Sequence, residues 1–277
     1  MTSYLKTGLL LSALTALLVT IGYLVGGSSG LILMFGLSLV INFVSYFFSD
    51  KIALAVSRAK QINESDYPGI FKMTRDLCER MQIPMPRLYI SEAIQPNAFA
   101  TGRSPKHSAV CFTSGLLTNL NQDEIEGVLA HELAHIKNRD VLISTVAAVI
   151  AGTISSITDF LMFNAIFGDD EDNQNPFISL ILIIVAPITA LILQLAISRS
   201  REYLADETAA KYTRNANGLA NALIRIESIA MNHPMHVNSA MASLYIQDPF
   251  KFRGLAELFS THPPTEKRVE RLLNLSF

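Results

Sequence analysis

Two histidines four positions apart, with a glutamate beside the first, are the residues of this chain best suited to chemistry: His131-Glu132-Leu133-Ala134-His135. On a helix, positions four apart share one face, so both imidazoles can reach a single ion while Glu132 lies next to it. The pattern suits Zn²⁺, which in catalytic sites takes three protein ligands and keeps a fourth position for water. The metal lowers that water's pKa toward about 7, and a neighbouring carboxylate takes its proton as it attacks a carbonyl. Glu132 fits this general-base role. The plain alternative is an ordinary amphipathic helix, but Val128, Leu129, Ala130 and Ile136 make the stretch apolar. Imidazoles and a carboxylate in such a helix need partners that offset desolvation, and a metal is one.

A third ligand is required. Glu202 and Asp206, in Arg201-Glu202-Tyr203-Leu204-Ala205-Asp206, are again four apart on one helical face. Glu202 is assigned to the metal. Asp206 is assigned to the N–H that a ligand histidine turns away from the ion. Charges at this spacing are also common on solvated helices; the pairing with the histidine motif favours the ligand reading.

The elements that must bring these residues together include membrane spans. Half of the 277 residues are apolar and only 17% are charged, against about 25% in soluble domains. The deficit lies in four long runs nearly free of charge: Thr7 to Val25, Leu31 to Phe48, Val141 to between Ile157 and Phe167, and Phe177 to Ile197. Each approaches the roughly 20 apolar residues that a bilayer needs. Gly26 to Gly30 reads as a tight turn between the first two, giving a hairpin rather than a cleaved signal peptide. Lys51, Arg58, Lys60, Lys137, Arg139, Arg199 and Arg201 flank the spans, while both inter-span turns lack Lys and Arg. The positive-inside rule then puts these flanks and both termini in the cytoplasm. Residues 1–50 form one transmembrane hairpin and 141–197 a second, and residues 51–140 and 198–277 meet as one discontinuous catalytic domain. Asp159 falls near the end of the third run and reads as interfacial.

Within the domain, Ile70, Met73, Leu77 and Met81 recur at helical spacing. Arg87 to Ile90 and Ser108 to Thr113 read as strands, and Pro96 to Gly102 as an extended piece ending at a turn. Asn121 or Asp123 caps the motif helix, which runs on toward the third span. Arg201 to Tyr212, Gly218 to Met231 and a short charged segment after Pro264 read as helices, and residues 232–252 as a mobile lid. Cys78 and Cys111 lack metal-site spacing and read as reduced, structural thiols. A net charge of −2 and the lack of a basic stripe give no pull toward nucleic acid.

His131 to His135, Arg201 to Asp206, Pro96 to Gly102 and Thr261-His262-Pro263-Pro264 together resemble the HtpX-type heat-shock membrane metalloproteases, relatives of the CAAX prenyl proteases among the gluzincins. The resemblance implies an α-helical integral membrane protein with four transmembrane helices. Its cytoplasmic catalytic domain would be zincin-type, mainly helical and α+β. It further implies one Zn²⁺ per chain and Glu202 as third ligand. The expected substrates are misfolded or damaged polypeptides of the bacterial inner membrane. It also suggests that Asn97, Ala98 and Phe99 edge a substrate cleft, and that His262 stabilises the oxyanion. An exposed edge strand binds an extended peptide by main-chain pairing, which suits that cleft. A carrier with Asn42 and Asp159 along its path, and a narrower enzyme for prenylated peptides, are the competing readings.

Overall fold

The computed structural model describes residues 3–152, 154, 199–231, 244–246 and 262–275. Helix α1 (Ser3–Val56) is folded back on itself at Gly26 and Gly27, where Gly27 takes φ 58 and ψ −142. Glycine alone adopts such a conformation without a Cβ penalty. Its two legs, Tyr4–Leu24 and Gly26–Val56, are both long and apolar enough to cross a membrane. They close on each other through Asn42, whose Nδ2 donates to Leu11 O at 3.3 Å and to Thr15 Oγ1 at 2.8 Å. Gly22 and Gly30 meet backbone to backbone near the bend. The expected turn over Gly26 to Gly30 is therefore narrower, because Ser28 onward is already helical. The second leg also continues past Phe48 to Val56.

A four-stranded sheet follows, built from β1 (Lys60–Gln61), β2 (Arg87–Ser91), β3 (Ala98–Ser104) and β4 (His107–Thr113). Its order is β1-β2-β4-β3, with β2 parallel to β4 and the other pairs antiparallel. Among the described strands β3 is thus an edge. Successive strand residues face opposite sides, and here both sides are covered. Leu88, Ala100, Val110 and Phe112 enter the main core with the helices, while Phe99, Ala109 and Cys111 pack on Ala53 and Leu54 of α1 and on Ala148 and Val149.

The helical layer comprises α2 (Pro68–Met81), α3 (Ser114–Asn119), α4 (Gln122–Asn138), α6 (Arg199–Thr213), α7 (Ala216–Ala230) and α8 (Thr265–Leu273). The apolar α5 (Val141–Gly152) leaves this layer and packs Leu142, Ile143, Val146 and Ile150 against Leu10 and Leu14 of the hairpin. The motif helix does not run on into α5. It ends at Arg139, which takes the left-handed φ 60 and ψ 32, and its N–H caps the carbonyls of His135 and Ile136. The remainder of the third span with Asp159, the fourth span, and all of the supposed lid except residues 244–246 lie outside the described residues.

Candidate metal centre

Helix α4 starts at a reciprocal cap. Asn121 Oδ1 accepts from Glu124 N at 2.9 Å, and Glu124 Oε2 accepts from Asn121 N at 2.9 Å. Of the two expected caps, Asn121 is the one used. One turn before the motif, Gly127 allows α7 to cross closely, since a Cβ there would lie 2.6 Å from Leu219 N. The crossing buries the next turn, leaving His131 fully buried and Glu132 2% exposed.

His131, His135 and Glu202 each offer a ligand atom within 4.8 Å of the others. The two Nε2 atoms lie 3.1 Å apart, and Glu202 carboxylate oxygens lie 3.6 Å from each. For tetrahedral zinc with Zn–N near 2.05 Å, a separation of about 3.3 Å is expected. The far side of each ring is fixed by a carboxylate. Asp206 Oδ1 is 2.9 Å from His131 Nδ1, and both Asp140 oxygens are 3.2 Å from His135 Nδ1. With each Nδ1 donating, each Nε2 turns a lone pair inward, and two such pairs at this distance repel unless a cation lies between them. Burial pushes both imidazoles down, but Asp206 and Glu202 outweigh it at His131, and Asp140 and Glu202 at His135, which rises to about 10. The centre draws positive charge, and a divalent ion fits the donor set.

Asp206 is held in turn by Arg268, a fully buried guanidinium that donates from Nε to Oδ2 at 2.9 Å and from Nη2 to Oδ1 at 2.7 Å. Burial raises the Asp206 carboxyl, yet Arg268 and His131 more than reverse this and hold it below the usual carboxylate range. Glu202 behaves likewise: burial raises it, but His262, His135 and His131 depress it well below the ordinary value. His262 places Nδ1 3.0 Å from Glu202 Oε2. Glu132 is pushed up by burial, against the pull of the two histidines and a hydrogen bond from the Ala100 N–H.

His131, Glu132, His135, Glu202 and His262 line a cavity of about 30 Å³, room for on the order of one or two waters. Ala100, Tyr245, Ile246, Asp140, Ser144 and Arg201 also line it. The expected cleft edge is only partly open. Asn97, Ala98 and Phe99 are all buried, and the Ala98 carbonyl already accepts from Ile246 N at 2.9 Å. Tyr245 packs edge-on against Phe99 at 5.1 Å. By strand alternation the residue of β3 that reaches the cavity is Ala100. Sequence reasoning missed three members: Asp140, Arg268 and Arg201, the last expected only as a basic flank of a span.

Residues 66–276 match peptidase family M48. Among similar chains, each called "Protease HtpX homolog", one from Pelotomaculum thermopropionicum is 54% identical, with 97% of each chain covered. One from Pyrococcus furiosus is 49% identical over 99% of this chain and 96% of its own, and one from Nostoc punctiforme 47% over 99% and 97%. The crystal structure of S. mikatae Ste24p shares the fold, with a TM-score of 0.52 at 17% identity, covering 94% of this chain and 62% of that one. The matched span contains both imidazoles and Glu202, so the chain belongs to peptidase family M48 and is a metallopeptidase.

Proposed function

We propose that this protein is a zinc endopeptidase anchored in a bacterial inner membrane by several spans. Its catalytic domain and termini are cytoplasmic, and it cleaves misfolded or damaged membrane proteins. The observation that carries this is the convergence of His131, His135 and Glu202 on one point, with a buried carboxylate beside it that is not one of the ligands. Similarity to proteases along nearly the whole chain supports the reaction class. The two apolar legs of α1 support the anchor.

Bound by these three residues, zinc supplies Lewis acidity toward a water and a substrate carbonyl. Glu132, buried beside the three ligands, accepts the proton of the attacking water and returns it to the leaving amine. Asp206 and Asp140 keep each imidazole in the tautomer that turns Nε2 inward. His262, in the cavity wall beside Glu202, steadies that ligand and stands near the developing oxyanion. The substrate strand pairs along the part of β3 that begins at Ala100.

The test is digestion of casein and of an unfolded membrane protein by the purified full-length protein in detergent. Cleavage that a chelator abolishes and stoichiometric zinc restores is the expected result. Activity indifferent to the chelator in verified metal-free protein would sink the reading.

A further inference from the structure

Arg201 immediately precedes Glu202 and lines the same cavity as Glu132, His135 and Asp140. Its Nη1 and Nη2 are shielded from solvent and have no hydrogen-bond partner among the described residues. Arg268, the other buried guanidinium of the site, is by contrast fully engaged by Asp206 and the Ile246 carbonyl. Asp140 and Glu202 line the same cavity, but neither comes within ion-pair distance of Arg201. The fork is therefore shielded from solvent and short of acceptors. Burying charged donors without acceptors carries an uncompensated desolvation cost, and a fork of parallel N–H groups is built to grip oxygen.

Charge decides which oxygen. With both imidazoles neutral as metal ligands, Glu132, Asp140 and Glu202 against Arg201 leave a net deficit that one divalent ion cancels, with Asp206 and Arg268 cancelling each other. A further carboxylate would enter beside three others. A neutral acceptor fits, and the one that every peptide brings is its own carbonyl. We infer that Arg201 anchors a substrate main-chain carbonyl next to the scissile bond, so that substrate is held without reading side chains. This rests on the peptidase reading above.

The experiment uses full-length protein in detergent with a fluorogenic peptide, a peptidyl hydroxamate and acetohydroxamate, which reaches the metal but carries no further main chain. Arg201→Met should weaken the peptidyl hydroxamate about ten- to hundredfold, the range for a hydrogen bond to a charged group. KM should rise more than kcat falls, and zinc content and acetohydroxamate inhibition should match the parent. Peptides with and without acidic residues should suffer equally. Equal weakening of both hydroxamates, or loss of zinc, would instead make Arg201 a support for Glu202 and overturn the inference. Loss confined to acidic peptides would make it a carboxylate site, and no change would remove it from the cleft. A parent protein that cleaves no peptide and binds neither hydroxamate defeats the peptidase reading itself, separately from these outcomes.

Discussion

Glu132 and His131 are neighbours with separable tasks. Glu132→Gln keeps the volume and leaves the three ligand side chains untouched. Zinc content should therefore stay stoichiometric while kcat falls about 10²–10⁴-fold, the usual worth of a general base. His131→Ala should lose both metal and activity; zinc analysis beside a peptide assay distinguishes the two. The carboxylate behind His131 makes a different prediction. Asp206→Asn leaves the Arg268 charge buried without its partner, which costs about 3–5 kcal/mol. It also weakens zinc binding about 10–100-fold. Because the folded Asp206 carboxyl lies below its unfolded value, its contribution is complete above the ordinary carboxylate range and is lost as pH falls through the folded pKa. Melting curves of parent and variant should thus differ most near neutral pH and converge in acid. Glu202 and Asp206 were legible in the sequence because a helix puts them on one face. Asp140 was not, since it returns to His135 only through the left-handed turn at Arg139. Arg268 was not either, since its partner lies 62 positions away.

At the scale of elements, the site depends on how closely α7 crosses α4. The contact falls at Gly127, one turn before His131, with Leu219 N where a Cβ would go. Gly127→Ala would gain helix propensity but force the two backbones apart, a net loss of about 1–3 kcal/mol from overpacking. A Cβ added at Gly69 in α2 would meet nothing within 4 Å, so Gly69→Ala should be neutral or stabilising by up to about 1 kcal/mol. Thermal melts in detergent check both, and a lower melting point for the second would mean that something other than helix propensity decides that position. Helix α2 was readable from apolar spacing, and α4 from its capping residues and its motif. Strand β4 was readable as an apolar run because the sheet is covered on both faces. The two-residue β1 and the six-residue α3 were missed, being too short to show a period. The strand order was also out of reach, since β2 pairs with β4 across an intervening β3.

For the whole molecule, the catalytic layer and the hairpin share a core: Phe99, Ala109 and Cys111 of the sheet meet Ala53 and Leu54 of α1. The sheet is therefore seated on the base of the second leg, and the bend at Gly26 and Gly27 lies at the far end of that leg. Cys111 belongs to this shared core and Cys78 to the main one, so no disulfide joins them, and both are free and buried. Burial pushes both thiols up to about 12. At about pH 8, near the ordinary thiol range, both are protonated and out of reach, and maleimide should label neither until the protein is denatured. That silence makes the parent chain a usable background for single reporters. Ser28, exposed beside the bend, and Ser65, exposed on the catalytic side, are the two that test the proposed topology. In intact cells a membrane-impermeant maleimide should modify Ser28→Cys and leave Ser65→Cys untouched, and lysis should expose Ser65→Cys as well. If Ser65→Cys is labelled from outside while Ser28→Cys is not, the catalytic layer faces the other way, and the basic residues flanking the spans do not set its orientation.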